Sequence, residues 1–353
     1  MKSKSFLVLC LVFILLLSAC SGKPPETVDA PEPADPPSSE SAPPEDAAPT
    51  GRPTEGVKVV VLTMGVINDK GWNASIYDGL MAIKDEYGFE VQLAEKVNFA
   101  EIEQTVRTYC DQGFSIVIGH ASNFMDAFKR LGPEYPEVAF VNTADQVFQD
   151  PNVCSVSADN LQQGFLAGAT AALLSETKKV AFSYGQESNS NQLAAKGFEL
   201  GSAYVDPSSK ATIIATGDNI DPVRMKENVS KFIDNGGDVV FTSGNNVALG
   251  AVEACKERGV LAMGNTADQY SIAPETIAVS VIKDHVQLMR EIANRYINDE
   301  LKGYYTMGVP EGIVYLSGWH DFEDKIPQET KDRLQQIQDD LKTGKIVVEN
   351  MVK

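Results

Sequence analysis

The 353-residue sequence is poor in positive charge, in cysteine and in histidine. Thirty Lys and Arg stand against forty-nine Asp and Glu, a formal charge of -19. A chain of that sign repels nucleic acid phosphates and anionic lipid surfaces, so no nucleic acid partner is expected. Five cysteines are too few for a disulfide scaffold at this length, and two of them fall in the first twenty residues. Of the rest, Cys110 and Cys255 lie in helical stretches and Cys154 in a strand-like run. Those are places for small core residues and not for a nucleophile, and one thiol is left over whichever two pair. His120, His285 and His320 are far apart and form no metal-ligand spacing, so no metal and no cofactor is expected. The sequence also lacks a Gly-x-Ser-x-Gly elbow, a phosphate-loop lysine, a His-Glu-x-x-His helix and a Cys-x-x-Cys pair. A binding protein is expected, not an enzyme.

Three segments follow one another. Lys2 and Lys4 precede an apolar run at residues 6–17 that is shorter than the ~20 residues of a spanning helix, which reads as a signal peptide over residues 1–20. Its end, Leu17-Ser18-Ala19-Cys20, resembles the bacterial lipoprotein box. That resemblance implies that Cys20 is lipidated and anchors the protein outside the cytoplasm, on a membrane it does not cross. Residues 21–56 hold ten of the eighteen prolines, with Ala, Ser and acids and almost no large apolar side chain. They cannot bury a core and are expected to form a disordered tether.

The folded body starts at Val57 and carries about -15 of the charge. Short β-branched runs at 57–64, 89–93, 115–118 and 138–142 alternate with stretches of helical period at 72–87, 101–111 and 124–131. The alternation continues through strand-like runs at 180–184, 212–216, 239–242, 261–263 and 277–282. Strand-helix alternation means right-handed crossovers and parallel sheets, and this many strands calls for two of them. Open parallel sheets bind ligands at the carboxyl ends of their strands, here the loops after Met64, Ile118, Tyr184, Thr242 and Met263.

Four strings in this order carry a family resemblance. They are Asn68-Asp69-Lys70-Gly71-Trp72-Asn73 with Gly79; Gln163-Gly164-Phe165-Leu166-Ala167-Gly168 with Ala171-Ala172-Leu173-Leu174; Gly197-Phe198-Glu199-Leu200-Gly201; and the turn from Gly264 to Gln269. Together they resemble the signatures of the basic membrane protein (BMP) family, the substrate-binding lipoproteins of ABC importers. The resemblance covers the whole folded body. It implies an α/β, two-lobed periplasmic-binding-protein type I fold with three crossover strands and a ligand in the cleft. Crossovers near Ala158, near Lys283 and past Lys302 put lobe 1 at 57–157 plus 284–305 and lobe 2 at 158–283 plus 306–353. The implied ligands are purine nucleosides, and the implied partners are an ABC permease and its ATPase, served by a monomer.

The expected ligand-binding residues are Asp69, Trp72, Asn73, His120, Asn123, Glu187, Asn245, Thr266, Asp268 and Lys283. Trp72 offers a π-face for a purine, or packs under its loop. Asp69 accepts from a ligand N–H, caps the following helix, or does both. Asn73 presents a donor and an acceptor together, which suits a base edge. His120 and Asn123 belong to a polar loop after the third strand. Glu187 and Asn245 sit in loops of small and amide residues that either contact ligand or serve as turns. Lys283 faces the ligand or forms a hinge salt bridge. Two departures from the family bear on specificity: Thr266 stands where nucleoside binders have an acid for the ribose, and Ala194 where they have a second aromatic. Gly71-Trp72 is similar to a variant of the family some of whose members bind a free purine base. The alternative is the same fold binding a sugar or a signalling molecule as a sensor, which a cleft richer in hydrogen-bonding residues than in aromatics would favour.

Overall fold

A computed structural model describes residues 51–219 and 221–352. The signal segment, Cys20 and nearly all of the tether lie outside the described residues.

The first sheet grows from β1 (Lys58–Leu62), α1 (Trp72–Tyr87), β2 (Glu90–Ala94), α2 (Ile102–Asp111), β3 (Ile116–Gly119), α3 (Met125–Leu131), β4 (Ala139–Asn142) and β5 (Val153–Ala158). The chain then enters the second sheet through α4 (Asn160–Leu174), β6 (Lys179–Tyr184), α5 (Asn189–Val205), β7 (Lys210–Ala215), α6 (Pro222–Asp234), β8 (Val239–Thr242), α7 (Asn245–Arg258), β9 (Leu261–Thr266) and β10 (Ile277–Lys283). It returns through α8 (His285–Ile297) and β11 (Tyr304–Met307), and crosses again to β12 (Val314–Leu316) and α9 (Gln328–Lys342). Each sheet has six strands, in the orders β11-β5-β4-β3-β1-β2 and β12-β10-β9-β8-β6-β7. The two-lobed α/β architecture with three crossings is the expected one.

Local chemistry sets the element ends. Asp159, Ser188, Asp221 and Asp284 cap α4, α5, α6 and α8 by accepting a backbone N–H three residues on. Asp159 and Asp284 sit at two of the crossings, so each return to a sheet starts on a capped helix. Central strands such as β3, β5 and β10 are buried along their whole length, as sheets covered on both faces require.

One strand departs from the expected parallel pattern: β12 runs antiparallel to β10. β11 is parallel to β5 and ends at the cleft. With only a turn and no helix between β11 and β12, the chain enters the second sheet at the cleft end and must run away from it.

Two of the family strings are packing devices. Gly164 and Gly168 of α4 face Gly197 and Gly201 of α5, and a Cβ at any of the four would strike backbone of the opposite helix. The helices therefore meet backbone to backbone over the second sheet, whose core stacks Phe182 on Phe241 with centroids 5.0 Å apart. Cys110, Cys154 and Cys255 are buried free thiols. Among the described residues no helix is long and apolar enough to cross a membrane.

Candidate functional site

A cavity of about 440 Å³ lies between the two sheets, at the carboxyl ends of their strands. Its mouth is bridged by two hydrogen bonds: Asn189 Nδ2 donates to Asp145 Oδ1 at 2.9 Å, and Ser190 Oγ donates to the Ala144 carbonyl at 3.0 Å. The residues of α5 thus touch the loop after β4, so the molecule is in a closed arrangement.

The first wall is built by the β1–α1 loop. Asp69 accepts from the backbone N–H groups of Gly71, Asn73 and Ala74 and from Asn73 Nδ2, at 2.7 to 3.1 Å. Four donors at the head of α1 gather on one carboxylate, where helix N–H groups otherwise lack partners. Asp69 is therefore a cap that also lines the cavity. Asn73, 2% exposed, is held by it.

Trp72 is half-buried and lines the cavity. Its ring stacks on His120 with centroids 4.0 Å apart and planes 15° from parallel. Trp72 Nε1 donates to the His120 carbonyl at 3.2 Å, and His120 Nε2 lies 3.0 Å from the Trp72 carbonyl. A carbonyl only accepts, so Nε2 carries the imidazole proton. Burial pushes the His120 pKa down to about 3, with a smaller push from the Lys283 charge. The ring is neutral, and Nδ1 accepts from Thr143 Oγ1 at 2.7 Å. One face of Trp72 is therefore already covered by protein.

His285, distant in sequence, packs edge-on to both rings at 5.0 Å. Its Nδ1 is 2.8 Å from Ser75 Oγ, and its buried Nε2 has no hydrogen-bond partner among the described residues. Burial, then the nearby His120 and Lys283, hold it well below the ordinary imidazole range.

Lys283 ends β10 and is 7% exposed. Its Nζ is 3.3 Å from Asn160 Oδ1 and 4.8 Å from the centre of the Trp72 ring. Burial lowers its pKa to about 8. No salt bridge to Lys283 is found among the described residues; of its two expected roles, the hinge ion pair is not formed, and an amide and a π-face stand beside the ammonium.

The second wall is mostly amide and apolar. Gln163 Nε2 donates to Asn265 Oδ1, which also accepts from Thr266 Oγ1 at 3.0 Å. The Asn265 N–H donates to Gln269 Oε1 at 3.0 Å. Thr266 has φ 72°, a left-handed conformation that is strained for a β-branched residue and aims its side chain into this network. Ala194, Ala248 and Val252 supply apolar surface.

Seven of the ten expected residues line the cavity: Asp69, Trp72, Asn73, His120, Asn123, Thr266 and Lys283. Two do not. Glu187 is exposed and accepts from Tyr184 Oη at 3.0 Å. Asp268 pairs with His320 Nε2 at 2.7 Å outside the cavity. Asn245 opens α7, and its side chain lies outside the described residues. Residues the sequence reading passed over are Asn160, Gln163, Asn219, Asn265 and Gln269. Gln163 opens the second family string and Asn265 and Gln269 lie in the fourth, so their motif membership was the available signal. Among the described residues no group of three or more His, Cys, Asp or Glu is placed to hold a metal ion.

The comparisons with known proteins agree with this architecture. Transcriptional activator protein med of Bacillus subtilis is 27% identical over 282 residues, 76% of this chain and 86% of that protein. Basic membrane protein A1 of Borrelia garinii is 25% identical over 266 residues, 73% of this chain and 78% of that protein. A crystal structure of an ABC transporter solute-binding protein from Aeropyrum pernix superposes with a TM-score of 0.72 at 17% identity, over 82% of this chain and 92% of that one. The family profile described as ABC transporter substrate-binding protein PnrA-like matches residues 56–350, and the chain belongs to that family.

Proposed function

We propose that this protein is the lipid-anchored, extracytoplasmic binding component of an ABC importer and holds a purine base or purine nucleoside in the cleft between its lobes. The lobes we assign are 57–157 with 284–305, and 158–283 with 306–353. The observation that carries the proposal is the cavity of about 440 Å³ at the strand ends, whose lining sets Trp72 among amides that donate and accept at once. Such a site suits a flat heterocycle with mixed hydrogen-bonding edges. Binding follows by closure, because a ligand favours the closed form only through contacts it makes with both walls. The closed form then docks on a permease, and its ATPase drives import. The anchoring residue is Cys20.

A second reading keeps the fold and replaces the purine with a sugar or signalling molecule detected by a sensor. It is favoured by one observation: amide and hydroxyl side chains outnumber aromatic ones in the cavity, and Trp72 has one face taken by His120. Mass spectrometry of small molecules released on denaturing the purified protein separates the two. A purine recovered, and rebound by the stripped protein with measurable heat, supports the importer reading. A recovered sugar, with no heat from adenine, guanine, adenosine, guanosine or inosine, defeats it.

A further inference from the structure

Lys283 is a buried cation with no counter-ion among the described residues. Its Nζ has three donors, and the described structure offers them a single acceptor, Asn160 Oδ1 at 3.3 Å, a long contact, together with the neutral face of Trp72. No nearby acid pairs with Lys283 among the described residues, and the nearest acids are engaged by other donors. Asp69 has its two oxygens filled by the head of α1. Asp284, next in the chain, accepts from the Gln287 N–H at 2.9 Å and from Tyr315 Oη at 3.1 Å. His120 and His285 are neutral rings. Asp69 is the one acid in the cavity lining and Lys283 the one cation, and the rest of the polar lining is neutral. A charge taken out of water without an opposite charge is costly, and that cost is recovered when a partner arrives.

We infer that the ligand itself carries the missing charge: a small planar molecule with one anionic group, either an ionised ring edge or a carboxylate, seated against Lys283. The inference rests on the reading that this cavity holds a small-molecule ligand, and it narrows the class from neutral bases to acidic heterocycles. The cavity of about 440 Å³ has room for one such molecule, and in its lining Lys283 Nζ lies 4.8 Å from the centre of the Trp72 ring, so that a ring near the indole places its charged edge at the ammonium.

The test is calorimetric titration of the full chain, stripped of ligand, with two matched probe pairs at pH 7. Urate, an anion at that pH, is paired with hypoxanthine, which is neutral. Nicotinate is paired with nicotinamide. The expected result is that at least one anion binds tenfold or more tighter than its neutral match, that Lys283→Met abolishes the difference, and that Lys283→Arg retains it. Preference for urate identifies an ionised ring, and preference for nicotinate identifies a carboxylate. Nicotinate preferred with no purine bound upholds this inference and removes the purine reading. Hypoxanthine bound as tightly as urate, with nicotinate no better than nicotinamide, overturns the inference and leaves the purine reading standing. Absence of binding by all four overturns the inference, and the purine reading is then decided by the titrations with adenine, guanine and the nucleosides. If Lys283→Met fails to fold, the wild-type ratios and the arginine variant still decide the matter.

Discussion

Trp72 and His120 hold each other by reciprocal bonds: each side chain donates to the other's backbone carbonyl, and the two rings stack at 4.0 Å. The pair joins the head of α1 to the loop after β3. A side chain that lines the cavity is thereby locked in one orientation before any ligand arrives, which lowers the ordering cost of binding.

Replacing Trp72 separates packing from hydrogen bonding. Trp72→Phe keeps a ring on His120 and loses one hydrogen bond, an expected cost of about 1 kcal/mol. Trp72→Ala also loses the stack and the buried area, and is expected to cost at least ~2 kcal/mol more, below the largest core values because the residue is half-buried. Chemical denaturation measures both. Ligand affinity is expected to fall tenfold or more in Trp72→Ala and less in Trp72→Phe.

His120 predicts an acid limit. Its folded pKa of about 3 lies below the ordinary imidazole value of 6.5. Between those values the unfolded chain binds more protons than the folded one, so this group's stability contribution is complete above pH 6.5 and declines as pH falls toward 3. His120→Gln removes the titration. Urea midpoints of wild type and variant, compared from pH 7 to pH 3, are expected to converge on acidification; parallel lines would show that His120 does not titrate in this way.

Lys283 works in the opposite range. A folded pKa of about 8 below an ordinary 10.5 means that the folded state releases its proton first, so stability from this group rises as pH climbs from about 8 to 10.5. Lys283→Met should stabilise the empty protein at neutral pH, with Tm raised by roughly 2–4 °C for each ~1 kcal/mol of penalty removed. A lower Tm at pH 7 would count against an uncompensated charge.

Gly164 and Gly201 tolerate no side chain. A Cβ on either meets backbone of the partner helix, which has no rotamer by which to yield. Gly164→Ala and Gly201→Ala are each expected to destabilise by about 1–3 kcal/mol or more, while Gly88→Ala, in open space at a φ of 71° after α1, acts through backbone strain alone. Thermal melts of the three variants rank the effects.

Closure depends on one exposed and one part-buried contact. Ser190→Ala and Asn189→Ala each remove one bridge between α5 and the loop after β4. At about 1 kcal/mol per hydrogen bond, each shifts the closed population and the apparent affinity by roughly fivefold. Small-angle scattering of the empty protein is expected to show a larger radius of gyration in the double variant.

The alternation of β-branched runs with helical stretches determined by itself that the body is a pair of parallel sheets, because strand and helix periods are local properties of the chain. The same locality placed the binding loops: Asp69, Trp72 and Asn73 follow β1 directly, and His120 follows β3. The fourth family string contains Thr266, and Lys283 stood at an expected crossover. What only the tertiary structure decided are relations between segments far apart. Position 285 gave no sign that its ring would pack against Trp72 and His120, since that contact exists only once α8 returns to the first sheet. Gly164 and Gly197 stood in two family strings with no role assigned, and they prove to form a helix-helix contact, which rests on which backbone lies opposite. The charge of Lys283 is evident in its letter, but its lack of a counter-ion is not. Burial and pairing are sums over every neighbour in space, and a linear chain does not state its neighbours.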